Sequence, residues 1–449
     1  MPLRHEIQKG IHFLLNNLNS DGGIPATKPG DVSGCWTTSE AIDSFLSMAY
    51  FPAAQLHRIR QMVEFLLKSQ VIKTEAVSPA NERSGTLSGE ILEDSSSTSP
   101  SLESVQLGGW ALVVGGSRIS TMTTGHCVAA LAHAHRIFQT DIAFGNRVHH
   151  AKELGLNWLH LTQNHDGGWG VEPESGPEGS ESRMISVLYA LRGYYEAGYT
   201  FEGSKDVRNA VRFICSTVSK DGGWGRKPGI DSDPSNTARA VIALVRSSKY
   251  TLDDNIIKRA IKFIIMSKPR NRHWDLKTET YIAQGAPGQT IYNSNTPFDV
   301  LEAFLTVGYT GPEVRALIRW FLENQEDDGR WYLGSNTSKV KDISTWSTSE
   351  AIYVLDIACK RHIRYAFNNL QKHLPKRWRT ILTLLVVIIL VEFLYITGTL
   401  NILGRAWVRM PQHIREIILG GVLLSIAVNI LSNFVSAGVV GWFRRVLRK

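Results

Sequence analysis

The chain spells one loop twice. "LTQNHDGGWG" runs from Leu161 to Gly170 and "STVSKDGGWG" from Ser216 to Gly225, 55 residues later. A glycine pair permits positive φ and close backbone approach, and the tryptophan beside it offers a large flat surface to pack on. Recurrence at a near-fixed interval marks a repeat architecture, in which each unit can bury its apolar face only against its neighbours.

Four weaker copies complete the series. An aromatic opens the phrase before each loop: Phe13, Phe65, Trp158, Phe213, Phe263 and Trp320, at intervals of 52, 93, 55, 50 and 57. The long interval contains a Ser/Glu-rich stretch, 73–106, including "EDSSSTSPSLES". It holds few apolar residues and is expected to be a disordered insertion. After each loop comes a second apolar segment, such as "TTSEAIDSFLSMA" and "SNTARAVIALVRS". Small and apolar residues surround most of its helical circumference, as in a helix buried on all sides, and Ser, Thr or Asn stands at its start as an N-cap. The expected fold is all-α: an (α/α)6 toroid over residues 1–360. Six hairpins, each of one outer and one inner helix, would close a double ring with the inner N-termini at one mouth.

The phrases "WFLENQEDDGRW" and "WLHLTQNHDGGWG" resemble the QW motifs of squalene–hopene and oxidosqualene cyclases. That group also includes the prenyltransferase β-subunits and the class II diterpene cyclases. Gln70, Gln163 and Gln325 occupy the motif glutamine, while Leu18, Val218 and Lys268 replace it. The resemblance covers about residues 5–360 and implies an α/α toroid with affinity for an isoprenoid. It makes the Gly-Gly-Trp loop a hinge whose tryptophan packs on the preceding helix.

The resemblance also implies chemistry to look for. Class II cyclases protonate an alkene with an aspartic acid of a D-x-D-D-T-A motif, which needs a strong acid in an apolar cavity. The nearest phrase is "DSDPSNTARA", Asp231 to Ala240, in which Pro234, Ser235 and Asn236 interrupt the pattern. Asp233 is therefore the nearest candidate proton donor, and a loop or cap role is its ordinary reading. The inner helices offer mainly Phe45, Tyr189, Phe304 and Tyr353 as aromatics, few for a polyene cation cascade. Prenyltransferases hold zinc, but His126 and Cys127 are adjacent and point about 100° apart on a helix. No D-x-C pattern accompanies them, so no metal and no cofactor are expected.

A register alignment of the six inner helices places Glu40, His126, Arg183, Arg239, Asp299 and Glu350 at one level near their N-termini. They read either as rim residues in the first helical turns or as a charged, ligand-binding mouth. In the second case Arg183 and Arg239 would be neighbours and, with the helix N-termini, would favour an anion such as a diphosphate.

The C-terminal region has a different composition. Residues 381–400, "ILTLLVVIILVEFLYITGTL", carry one charge, Glu392, and residues 417–443 carry none. Each is long enough to cross a bilayer. Seven Lys or Arg and no acid lie between Lys360 and Arg379, and four of the last six residues are Lys or Arg. The expectation is a basic juxtamembrane linker, 361–379, then a two-helix transmembrane hairpin within 380–449. By the positive-inside bias the toroid and both termini would be cytoplasmic, at the inner cell membrane. The basic clusters serve a membrane flank better than nucleic acid. Glu392, Asn429 and Asn433 at membrane depth suit helix–helix contacts, including self-association, or else a water path. The start of the chain is too polar for a secretory signal. Four scattered cysteines, Cys35, Cys127, Cys215 and Cys359, read as reduced thiols. Two functions fit: a membrane-anchored toroid that binds an isoprenoid or lipid-like ligand, or a sensor coupled to a membrane effector hairpin of the kind found in bacterial defence systems.

Overall fold

The computed structural model describes residues 2–48, 53–76, 104–112, 114–175, 180–269, 274, 277–281, 290–294, 296–332 and 344–373. The chain divides into two compact units, Met1–Lys360 and Arg361–Lys449. The first contains twelve helices among its described residues, the last of which runs on past Lys360. Six are outer: α1 Pro2–Asn16, α3 Leu56–Lys68, α5 Ile142–Leu161, α7 Lys205–Ser216, α9 Asn255–Met266 and α11 Pro312–Glu323. Six are inner: α2 Cys35–Ser47, α4 Thr121–Phe138, α6 Met184–Glu196, α8 Pro234–Arg246, α10 Thr296–Val307 and α12 Thr345–His373.

The two sets differ in burial as their sequences require. Outer α7 buries Val207, Ala210, Val211 and Ile214, a one-sided stripe at helical spacing. Inner α6 buries every residue from Met184 to Tyr194, because inner neighbours and its own outer helix cover it all round.

Tryptophan fixes each hairpin. The indole Nε1–H of Trp169, Trp224, Trp274 and Trp331 donates to the carbonyl oxygens of Leu159, Ile214, Ile264 and Phe321 at 2.7–3.0 Å. Each acceptor lies ten residues upstream, in the last turns of the outer helix, where carbonyls lack helical donors. Trp110 does the same to Leu66 across the longer second loop, at 2.8 Å. The loop is then tied to the inner helix. Threonine hydroxyls of Thr124, Thr237 and Thr348 accept from the backbone N–H of Trp110, Trp224 and Trp331. Each such bond contributes roughly 1 kcal/mol, and the buried ring adds more.

Glutamine and glycine join hairpin to hairpin. Gln70 Nε2 donates to Ala151 O on the next outer helix, and Gln163 Nε2 to Asp206 O on the one after. Gln325 Nε2 donates to Glu6 O on α1, so the sixth unit grips the first. The inner seam closes too, through Thr345 Oγ1 to Pro25 O at 2.9 Å. At Gly167, φ is +90° and an added Cβ would lie 2.4 Å from Asn209 O. Glycine there allows the loop to touch the neighbouring outer helix.

The all-α expectation needs amendment in two places. β1 Val71–Ala76 pairs antiparallel with β2 Ser104–Gly109, Val71 opposite Gly109 and Ala76 opposite Ser104. The ends of the stretch 73–106 are therefore strands: β-branched Val71, Ile72 and Thr74 favour the extended chain, and Ser104 to Leu107 alternate polar and apolar residues opposite them. The part between, 77–103, lies outside the described residues. A second ribbon, β3 Lys277–Tyr281 with β4 Thr290–Ser294, joins α9 to α10. The basic segment 361–379 is described only to 373, as the end of α12. Both expected membrane spans lie outside the described residues, among which no helix is long and apolar enough to cross a bilayer. All four cysteines are free.

Candidate functional site

The inner helices set the level of each side chain by where they begin. The backbone N–H of Gly34, Ser120, Arg183 and Asp233 donates to the carbonyl of Ile24, Trp110, Trp169 and Trp224 respectively, marking the same N-cap position in four units. Six residues further on stand Glu40, His126, Tyr189 and Arg239. Ser344, whose carbonyl accepts from Thr348 N as that of Gly34 does from Thr38 N, leads likewise to Glu350. Arg183 is thus a cap residue with extended backbone, φ −127°, and Tyr189 takes its place in the ring. The cause is a longer loop: fourteen residues separate Trp169 from Arg183, against ten, ten and nine in the other three. Arg183 and Arg239 therefore stand at different levels, the first at its helix cap and the second six residues beyond its own.

Asp233 caps α8. Its Oδ1 accepts from Asn236 N at 2.9 Å and its Oδ2 from Asn236 Nδ2 at 2.8 Å. Both oxygens are engaged by donors, the arrangement of a structural carboxylate rather than of an acid aimed at an alkene.

Arg239 pairs with Asp299 across two inner helices, Nη2 to Oδ2 at 3.2 Å, and Ser235 Oγ also donates to that carboxylate. Burial pushes the Asp299 carboxyl up to about 6, while Arg239 and Ser235 pull the other way. Glu40 and His126 are both buried, with His126 Nε2 3.6 Å from Glu40 Oε1. Burial, then the charge of Glu350, pushes the Glu40 carboxyl well above the usual range. Burial, then the charge of Arg192, pushes His126 well below its own. Both shifts run toward the uncharged form of the group.

Aromatic rings surround this pair. Trp36 meets His126 edge-on at 4.3 Å and Tyr189 at 4.8 Å, His126 lies 4.1 Å from Tyr189, and Trp346 stands 6.0 Å from Trp36. Trp36 and Trp346 come from the matching starts "CWTTSE" and "TWSTSE" of α2 and α12. Both tryptophans precede the apolar run of their helices, so the run itself does not reveal them. Phe45 and Phe304 are fully buried in the walls.

A second charged tier lies deeper and was not read from the sequence. Arg192 pairs with Asp43 and stacks 4.4 Å above the Tyr353 ring. His133 Nε2 lies 3.0 Å from both Asp43 Oδ1 and Glu196 Oε2. Burial opposes its charge, but together these carboxylates outweigh burial and hold the imidazole up at about 9. Arg246 reaches Glu302 at 3.2 Å, Glu196 at 3.5 Å and the Tyr353 hydroxyl. Its partners come from separate hairpins, so no local motif announces it. Charges in the middle of apolar helices were the available signal.

The two tiers bound an axial cavity. Glu40, Tyr189, Asp299 and Glu350 line one part, Arg192, Arg246 and Tyr353 another, with Leu188, Ile242 and Phe298 between. Its room for water centres is about 20 Å³, enough for on the order of one molecule. Among the described residues no group of three or more His, Cys, Asp or Glu side chains is arranged to hold a metal ion; in the Asp43–His133–Glu196 cluster the same imidazole nitrogen faces both carboxylates.

No family model matches the sequence. A stretch of 108 residues is 30% identical to a drimenyl diphosphate synthase of Streptantibioticus cattleyicolor. It covers 24% of this chain and spans only 19% of that enzyme. In structure the chain is similar to an α-1,6-mannanase from Salegentibacter sp., with TM-score 0.50 and 9% identity over 80% of this chain and 99% of that one. It is similar to a D-mannose isomerase at TM-score 0.50 and 12% identity, over 80% and 97% of the two chains. A type II terpene cyclase from Scytonema, solved with geranylgeranyl dihydroxybenzoate, aligns at TM-score 0.47 and 15% identity over 79% and 96%. The structural likenesses bear on fold alone. The chain has a toroid-compatible helical fold and, over a quarter of its length, a sequence likeness to one terpene synthase.

Proposed function

We propose that this protein is a membrane-anchored, terpene-cyclase-like toroid that binds an isoprenoid or similar lipid-like ligand without cyclising it. The binding half of the proposal is supported by the likeness of 108 residues to a drimenyl diphosphate synthase, and the observation that argues against cyclisation is the axial cavity: paired charges bound it, and it has room for about one water. Ligand pockets ordinarily offer roughly 300–1,000 Å³, and a cation cascade needs an aromatic, dry chamber of that order. The engaged oxygens of Asp233 point the same way. The apolar wall of Leu188, Ile242 and Phe298 would accept hydrocarbon once the ring breathes open. The spans 381–400 and 417–443 would hold the protein at the inner membrane with the toroid in the cytoplasm.

The test is turnover. Purified full-length protein is incubated with squalene, farnesyl diphosphate or geranylgeranyl diphosphate, and products are separated by gas chromatography and mass spectrometry. No cyclised product is expected. A cyclic product that disappears in Asp233→Asn would refute the reading and restore the acid role.

A second reading, a sensor coupled to a membrane effector, is favoured by α12. This helix places Glu350 and Tyr353 on the cavity wall and runs unbroken to His373, past the end of the first unit at Lys360. A ligand bearing on Tyr353 would bear on the element that leads to the tail. Dye leakage from liposomes holding the full chain, triggered by ligand in wild type and not in Tyr353→Ala, is the expected signature. Equal leakage with and without ligand removes this reading.

A further inference from the structure

The mouth of the toroid concentrates buried polar atoms that find no hydrogen-bond partner. They include both ring nitrogens of His126, Glu40 Oε2, Ser186 Oγ, Thr123 Oγ1 and the indole nitrogen of Trp346. All belong to the first two turns of inner helices. His126, Ser186 and Thr123 are fully buried, and Glu40 is 6% exposed. Against the effect of burial, the Trp36 indole lowers the Glu40 carboxyl. Buried polar groups left unpaired cost stability and are uncommon, so a cluster of them on one axis calls for a ligand.

The charges there narrow what that ligand is. Both arginines that line the cavity already face carboxylates, Arg192 facing Asp43 and Arg246 facing Glu302 and Glu196, and Arg239 nearby faces the lining residue Asp299. Arg183 stands at a cap, outside the ring. An arriving phosphate would have to displace these partners and then sit beside Glu40 and Glu350. The unpaired atoms, by contrast, form a mixed set. Indole N–H groups only donate, hydroxyls do both, and a neutral imidazole has one donor and one acceptor nitrogen. A protonated carboxyl also does both.

Resting on the isoprenoid reading above, we infer that the mouth recognises an uncharged hydroxyl-type head group on the ligand, not a diphosphate. A hydroxyl held by Glu40 and His126 would lie beside the Trp36 and Tyr189 rings, which suit the adjoining hydrocarbon, and Ser186 stands one helical turn before Tyr189 on α6.

The experiment compares three probes with one hydrocarbon and different heads: farnesol, farnesylamine and farnesyl diphosphate. Binding to full-length protein in nanodiscs is read by tryptophan fluorescence, with empty nanodiscs subtracted. Farnesol is expected to bind at least tenfold more tightly than either charged probe. Glu40→Gln, which keeps a neutral hydrogen-bonding group, should retain farnesol affinity within about threefold. Ser186→Ala should weaken it severalfold at an unchanged melting temperature. Tighter binding of the diphosphate or the amine overturns the head-group inference and leaves the isoprenoid reading standing. Binding by none of the three overturns both.

Discussion

His133 makes the stability of the toroid depend on pH in a range where proteins ordinarily change little. Its imidazole lies between Asp43 and Glu196, is 14% exposed, and titrates at about 9 where an ordinary histidine titrates near 6.5. The folded state therefore holds a proton that the unfolded chain has released between these two values. Stability is fully present below about pH 6.5 and is lost as pH rises through about 9. At 1.36 kcal/mol per tenfold step in proton affinity, the loss is on the order of 3 kcal/mol. His160, raised by its hydrogen bond to Asp206, acts in the same direction. The perturbation is His133→Gln, which removes the titrating group and keeps a polar side chain of similar reach. The assay is guanidinium unfolding of the full chain in nanodiscs, followed by tryptophan fluorescence, at pH 6.0, 7.5 and 9.0. Wild type should lose about 2–3 kcal/mol across the series, and the variant most of that slope. A wild-type stability that does not fall, or a variant with the same slope, would show that the Asp43–His133–Glu196 cluster is not what holds the proton.

Two further outcomes follow from buried contacts. Arg239→Ala leaves Asp299 buried without its guanidinium and should destabilise by about 3 kcal/mol or more at pH 8. The Asp299 carboxyl is raised to about 6, so stability from this group falls as pH rises from about 4 to 6, and the penalty of the variant should shrink at pH 5, where the acid is neutral. Equal penalties at both values would argue against a charged Asp299. Gly167→Ala and Gly198→Ala share positive φ, +90° and +94°, but only at Gly167 does the new Cβ meet a backbone oxygen, 2.4 Å away, while at Gly198 it meets open space. Thermal melts should therefore show the larger loss at Gly167, by roughly 1–3 kcal/mol; equal losses would mean that φ alone decides.

The hairpins were legible because their determinants are local. Trp169 and Leu159, or Trp331 and Phe321, are ten residues apart, and Gly, Trp and Thr recur with them. The level of each inner side chain was legible only where loop length was constant. Glu40, His126, Arg239 and Glu350 fell into register, and Arg183 did not, because its loop is four residues longer than those of two other units. The deeper tier was illegible for another reason. Asp43, Arg192 and Tyr353 are joined by packing among α2, α6 and α12, and nothing near any one of them in sequence specifies the other two.

The clamp from Gln325 to Glu6 spans 319 residues of chain. A linear stack of repeats must shield its two end units with special polar surfaces, whereas a ring turns its ends into each other's partners. During synthesis, then, the first hairpin emerges with one flank bare and keeps it bare until the sixth has been made. Contacts of such long reach close late and slowly. For that interval the growing protein is an open arc with two sticky edges, and what it must avoid is joining the arc of another nascent chain before it meets its own tail.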